Sequence, residues 1–234
     1  MKQGKALIVG AYGGMGRAIA TGLATAGFEC ALMGRNEAAI NGIANQCIEA
    51  GATAHPIVCD IAQVSTIEAA VASAIEALGG LNYLINCAGI SNGGKLHEVD
   101  PVECDRIIDT NLRAHYYLCR YAAPEINKTS GGVIIKIGAV HHPYSGVNTS
   151  LAANLGGNGY AEALFEDLRG FGTRVCTIRP GWVNTPLVTE DKGIDKSLMI
   201  QPDDILHTVL FMLSMPETSC PTEITILPQR SPYC

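Results

Sequence analysis

Little of this chain is charged or aromatic. Of its 234 residues, 16% are charged and 6% aromatic, with a single tryptophan. Set against 47% hydrophobic residues, that low charge excludes an intrinsically disordered chain, which could not bury enough apolar surface to offset its ordering entropy. Basic residues are few and scattered, and the formal net charge is −6, which argues against a nucleic-acid partner. No apolar run approaches the roughly 20 residues that span a bilayer, so no membrane partner is expected. The opening MKQGKALIVGAYGG is basic and then apolar, but glycines interrupt it early, which reads against a cleavable leader. There is no CxxC among the nine cysteines (Cys30, Cys47, Cys59, Cys87, Cys104, Cys119, Cys176, Cys220 and Cys234). Their number is odd and most lie in apolar runs, so free thiols in a reducing cytoplasm are expected. No metal is expected either: His141 and His142 are adjacent and point apart, with no third ligand at a suitable spacing.

What the chain does have is alternation. Near-continuous apolar runs at 5–10, 29–34, 54–60, 81–86, 132–138, 174–180 and 223–228 read as strands. Between them, 15–26, 37–50, 64–79, 101–127, 150–170 and 202–215 carry apolar residues at helical spacing. Strands without polar alternation, separated by helices, imply a parallel sheet covered on both faces. No repeat or linker divides the chain, and one domain over 1–234 is expected. The fold class is therefore α/β, a doubly wound parallel seven-stranded sheet of the Rossmann type.

The first strand runs into GAYGGMGRAIATGLATAG, with Gly10, Gly14 and Gly16 at a strand-to-helix turn. Glycines there allow a tight turn, close backbone approach to a pyrophosphate and close packing of helix on strand. The phosphates would sit on the helix N-terminus, where free N–H groups and the helix dipole favour anions. The second strand ends in MGRN, so Arg35 stands where an acid would otherwise hold ribose hydroxyls, and could meet a 2′-phosphate.

These residues resemble the short-chain dehydrogenase/reductase family, and the resemblance covers nearly the whole chain. GAYGGMG looks like the family's glycine motif, and CDI, with Asp60 and Ile61, is similar to its adenine-contacting segment. NCAG (Asn86 to Gly89) matches the motif after the fourth strand, TNL brings the catalytic-helix asparagine Asn111, and PGWVNTP (Pro180 to Pro186) resembles the segment that holds the nicotinamide end. The resemblance implies an oxidoreductase for a small carbonyl or hydroxyl compound. The cofactor residues it implies are Gly10, Tyr12, Gly13, Gly14, Met15, Gly16, Arg35, Asp60, Ile61, Asn86, Ala88, Gly89, Pro180, Gly181, Val183 and Thr185. Arg35 favours NADP(H) over NAD(H), although Gly13 occupies a position where many NADP-preferring relatives carry a second basic residue.

The family's reaction implies a tyrosine that donates a proton, a lysine four residues later that lowers its pKa, and a serine upstream. Aligned from YAEALFEDLRGFGTRV backwards, the tyrosine position falls on Ser150 and the lysine position on Asn154. The serine position falls on Gly138 or Ala139. All three side chains are missing, and of the catalytic set only Asn111 remains. His142 and Tyr144, in the loop before this helix, are candidate replacement acids, and His115, one turn beyond Asn111, could also titrate. Loss of a general acid lowers the rate by roughly 10²–10⁴. A non-redox enzyme on the same scaffold, or a silent nucleotide-binding protein, is therefore a standing alternative.

Gly156, Gly157 and Gly159 crowd one and a half turns of the same helix, each costing roughly 1 kcal/mol against alanine. Either the helix packs closely on its copy in a partner subunit, or it has loosened where catalytic geometry is no longer held. A homodimer or homotetramer through the 101–127 and 150–170 helices is expected from the resemblance. Trp182 is expected to wall the pocket, and the polar, aperiodic segment 187–200 to act as a substrate lid.

Overall fold

The computed structural model describes residues 4–91, 95, 97–140, 148–188 and 194–232, with the side chain of Asn148 left aside. Within them lie seven strands: β1 (Lys5–Val9), β2 (Glu29–Gly34), β3 (Ala54–Val58), β4 (Tyr83–Asn86), β5 (Val133–Ile137), β6 (Arg174–Pro180) and β7 (Glu223–Ile226). They pair in parallel in the order β3-β2-β1-β4-β5-β6-β7. The helices between them are α1 (Gly14–Thr25), α2 (Glu37–Glu49), α3 (Ile67–Leu78), α4 (Pro101–Ile108), α5 (Ala114–Ile126), α6 (Asn148–Leu168) and α7 (Pro202–Ser214).

The five inner strands, β2, β1, β4, β5 and β6, alternate their side chains between two buried faces, whereas the edge strands β3 and β7 are partly exposed. Ile8, Leu32, Ile85, Ile135 and Ile178 pack with residues of α1, α2 and α7 such as Ile19, Ile40 and Val209. Leu7, Met33, Leu84, Ile134 and Val175 pack on the opposite side with Val71, Leu118 and Leu164 from α3, α5 and α6. With both faces covered, the inner strands have almost no solvent side, which is why they read as near-continuous apolar runs.

Several boundaries depart from the sequence reading. The expected 101–127 helix is interrupted by a π-helical turn at Asp109–Arg113 between α4 and α5. Such single turns widen a helix locally and often lie at functional sites. β3 ends two residues earlier and β4 starts two residues later than expected. Helix α6 begins at Asn148, a little before the expected 150. The order of the sheet reverses between β1 and β4, which opens a crevice at their C-terminal ends.

Candidate active site

Glycines shape this crevice. Gly10 leaves β1 at φ 77°, and a Cβ on it would lie 2.9 Å from Ala88 Cα. A Cβ on Gly16 would lie 2.1 Å from the Gly10 carbonyl oxygen, so α1 can approach its strand this closely only without a side chain there. Helix α1 starts at Gly14, no side chain caps it, and its first turn holds no acid. Its first N–H groups and its dipole therefore face the crevice ready for an anion. The resulting cleft has a volume of about 360 Å³. Of the expected cofactor residues, Gly10, Tyr12, Gly13, Gly14, Met15, Gly16, Arg35, Asp60, Ile61, Ala88, Gly89 and Thr185 line it.

Among the described lining residues only Arg35 and Asp60 carry charge. The Asp60 carboxylate accepts from the Ala62 N–H at 3.2 Å, turned into its own loop. Arg35 is exposed, at the end of β2, beside the place where the Tyr12 ring closes over Gly34. Cys59 and Cys87 also line the cleft. Burial raises both thiols, Cys87 to about 12, so both stay protonated and unreactive near neutral pH.

Beyond the cleft, two asparagines fasten the loop after β4. Asn111 lies on the π turn, and its amide nitrogen donates to the Ile90 carbonyl at 2.8 Å while its oxygen accepts from the Ile90 N–H at 2.9 Å. The Asn86 side-chain oxygen accepts from the Ala88 N–H at 3.1 Å, and its amide faces His115 Nδ1 at 3.3 Å. Asn86 is buried, lies outside the cleft lining and braces the loop. His115 is fully buried, and burial, with the nearby charge of Lys136, brings its pKa down to about 3. It is a neutral packing residue, which removes it as an acid.

Ser150 and Asn154 come together on the first turns of α6. The Ser150 hydroxyl donates to Ser91 Oγ at 3.4 Å, and Asn154 Nδ2 donates to the Ser150 carbonyl at 2.9 Å. Asn154 Oδ1 accepts from Lys136 Nζ at 3.3 Å. Neither Ser91 nor Lys136 was singled out by the sequence reading. The available signal for Lys136 was its place as the one charged residue in GVIIKIG, a strand otherwise apolar. Lys136 is buried, and desolvation, then Arg179, lowers its pKa to about 8.

This lysine also accounts for part of the glycine cluster. A Cβ on Gly157 would lie 2.6 Å from Lys136 Cε, so the glycine makes room for a side chain of the same chain. A Cβ on Gly156 would come within 3.3 Å of Leu112, and at Gly159 nothing lies within 4 Å.

Pro180, Gly181 and Val183 lie at the end of β6, outside the cleft lining. The Pro180 carbonyl accepts from the Val140 N–H, the Gly181 N–H donates to the Ile226 carbonyl, and Val183 bridges Ile200. They place Thr185, which is buried and lines the cleft. His141, His142 and Tyr144, and positions 189–193 of the expected lid, lie outside the described residues. The rest of that segment includes a short 3-10 turn at Lys196–Leu198.

A profile of the short chain dehydrogenase family matches residues 4–193. The chain belongs to that family. An uncharacterized oxidoreductase of Staphylococcus aureus (strain MRSA252) is 28% identical over 229 residues, covering 95% of this chain and 96% of the relative. A dehydrogenase/reductase from Sinorhizobium meliloti 1021 superposes with a TM-score of 0.88 at 28% identity, covering 97% of this chain and 94% of that one. A metagenomic short-chain oxidoreductase, solved in complex with NADP, gives a TM-score of 0.84 at 28% identity over 98% of both chains. Family membership and the doubly wound sheet thus agree with what the motifs implied. Among the described residues no helix is long and apolar enough to cross a membrane.

Proposed function

We propose that this chain is an NADP(H)-binding oxidoreductase for a small carbonyl or hydroxyl compound, with Ser150 and Asn154 in place of the family's tyrosine and lysine. One observation carries the cofactor choice: among the described residues of the cleft lining Arg35 is the only cationic one, and it follows β2. Two solved relatives, the metagenomic oxidoreductase and a dehydrogenase from Burkholderia cenocepacia J2315, are described as complexes with NADP.

The residues fit such a group. The backbone from Gly10 to Gly16 and the open N-terminus of α1 suit the pyrophosphate, Arg35 suits the 2′-phosphate, Asp60 and Ile61 suit the adenine side, and Ala88, Gly89 and Thr185 border the rest of the cleft. When bound, the nicotinamide supplies or accepts a hydride. The protein's part is to align and to place charge. Ser150 can donate a hydrogen bond to a substrate oxygen, but a serine hydroxyl is a far weaker acid than a phenol. Without a strong acid the rate falls by roughly 10²–10⁴, about 3–5 kcal/mol of barrier.

A second reading, a nucleotide-binding protein without hydride transfer, draws on the same two residues. The Ser150 hydroxyl and both ends of the Asn154 amide already have partners inside the chain. Fluorescence titration with NADPH and NADH, followed by absorbance assays with a panel of aldehydes and ketones, separates the readings. Micromolar NADPH binding with weaker NADH, and any steady NADPH consumption, supports the oxidoreductase. Tight binding without consumption moves the assignment to the second reading, and binding of neither removes both.

The same reading includes a cytoplasmic protein that folds as one domain and pairs through α4, α5 and α6. Val102, Ile108, Tyr116 and Leu155 are exposed on those helices, which supports pairing there. It also includes a lid over 187–200, bordered by the Val183 to Ile200 bridge.

A further inference from the structure

Lys136 is an unusual residue for the middle of a parallel sheet. In the register of β4, β5 and β6 it stands between Asn86 and Thr177, so a polar row crosses three neighbouring strands. All three side chains are buried. Among the described residues no carboxylate pairs with the ammonium, and its hydrogen bond is to Asn154 Oδ1. Two more buried polar atoms nearby, Asn158 Oδ1 and Thr177 Oγ1, lack a partner. Lys136 Nζ, Asn158 Oδ1 and Thr177 Cγ2 each lie 3.4 Å from the place a Cβ on Gly138 would occupy. Gly157 leaves the space above the lysine's own chain.

The lysine is thus aimed from the sheet at the underside of the first turns of α6, and two glycines clear its path. Packing alone does not call for this, because an apolar side chain would fill the space without burying a cation. We propose that Lys136 is a positioning residue for the nicotinamide half of the cofactor, fixing the Asn154 amide and supplying from β5 the positive charge that α6 does not carry. The inference rests on the cofactor reading above. Held by Lys136 at Oδ1 and by the Ser150 carbonyl at one N–H, the Asn154 amide can turn its remaining N–H only one way. That N–H, in a field made positive by the ammonium, is the group Asn154 would offer to a cofactor hydroxyl.

The charges facing Lys136 are few. From α5 comes His115, which is neutral, and from β6 comes Arg179, which pairs with Glu223 at 2.7 Å. Asn154, Gly157 and Asn158 of α6 do not titrate. Among the described side chains that face it, Lys136 is itself the one that changes charge between pH 7 and 9.5.

The test compares two ligands by fluorescence and calorimetric titration from pH 7 to 9.5. NADPH reaches the α6 end, whereas adenosine 2′,5′-bisphosphate occupies only the adenine end and reports on Arg35. In the unmodified protein NADPH is expected to bind about tenfold more weakly at pH 9.5 than at pH 7, a one-unit linkage, while the bisphosphate changes little. Lys136→Met, with nearly the same length and no charge, is expected to bind NADPH as weakly at pH 7 as the unmodified protein does at pH 9.5. Adding Asn154→Lys to that variant returns a cation from α6 and is expected to restore NADPH affinity, which a purely structural lysine would not allow. A resonance of Lys136 Nζ, followed by NMR in the unmodified protein, should shift its titration upward on NADPH addition. If the bisphosphate and NADPH both bind but Lys136→Met keeps the unmodified pH profile, or the resonance does not move, the lysine proposal is wrong and the cofactor reading stands. Failure of both ligands to bind overturns both.

Discussion

Alanine at Gly157 and at Gly159, two residues apart on α6, should act in opposite directions. In an open helical position the change from glycine contributes about 1 kcal/mol of stability. Gly159 meets that condition, since an added Cβ finds nothing within 4 Å. A domain of this size then gains about 2–4 °C in Tm. At Gly157 the added Cβ would lie 2.6 Å from Lys136 Cε and 3.1 Å from Nζ, inside the roughly 3.5–4.0 Å at which carbon atoms pack. The lysine must shift by about an ångström, within a site closed by Asn154, Asn158 and Thr177. Overpacking of that kind costs about 1–3 kcal/mol, and a lost hydrogen bond to a charged group costs about 1.5–3 kcal/mol. The helical gain offsets about 1 kcal/mol of this, leaving Gly157→Ala about 1.5–5 kcal/mol less stable. Shortening the lysine removes the conflict, so in a Lys136→Val background Gly157→Ala should become stabilising. The coupling across that double-mutant cycle is then about 2.5–6 kcal/mol, read from thermal and urea midpoints at fixed protein concentration. Equal gains at 157 and 159 in the unmodified protein, or a coupling near zero, would refute the placement of Lys136 under α6. A loss at Gly159 that grows on dilution would instead assign that glycine to a contact between copies.

Four other outcomes follow from the same structure. Lys136 has a folded pKa of about 8 against 10.5 for the ordinary side chain, so the unfolded chain binds more protons between those values and stability rises with pH across that window. Relative to Lys136→Met the unmodified protein should be penalised by about 3 kcal/mol below pH 8, with the gap closing by pH 10.5 in urea melts. Gly16→Ala places a Cβ 2.1 Å from the Gly10 carbonyl oxygen, a backbone clash that should cost about 3 kcal/mol and abolish NADPH binding by titration. Asn111→Ala leaves the Ile90 N–H and carbonyl unpaired. The expected loss is about 2–3 kcal/mol, with faster hydrogen exchange at Ile90 as the specific sign. Arg35→Ala should weaken NADPH at least tenfold, about 1.4 kcal/mol, and leave NADH unchanged; equal weakening of both would remove Arg35 from the 2′-phosphate.

The fold was legible because burial on both faces writes itself into the strands. ALIV, ALM, YLI and VII are apolar without alternation, and only a covered parallel sheet needs that. The glycine turn was legible for a similar reason, since Gly10 and Gly16 each leave no room for a side chain. The π turn at Asp109–Arg113 was not, because its effect is to rotate Asn111 toward Ile90, a partner 21 residues away that periodicity cannot see. Nor did the NCAG segment show that its asparagine braces Ala88 and His115 instead of lining the cleft. Lys136 was missed through the very regularity that identified its strand: one lysine in GVIIKIG counts as a blemish in an apolar run. Its meaning lies in Gly157, Asn154 and Gly138, which only the packing of β5 on α6 brings together.

That pairing bears on whether the lysine is kept for packing or for a ligand. A lysine at 136 with any larger residue at 157 collides, and a glycine at 157 without the lysine leaves both a weakened helix and an empty space. Each is unfavourable alone, and together they still leave a buried cation that lowers stability at neutral pH. Selection for folding alone would replace Lys136 with valine or isoleucine and Gly157 with alanine, each change gaining stability once the other was made. The two residues therefore carry a cost that packing does not return. Proteins keep such costs where a ligand does return them. If so, NADPH should raise the Tm of the unmodified protein more than that of the Lys136→Val, Gly157→Ala pair, even though the pair starts from the higher midpoint. Equal ligand-induced shifts in the two proteins would make the lysine and its glycine a relic of packing, and the site an adenine-end nucleotide binder.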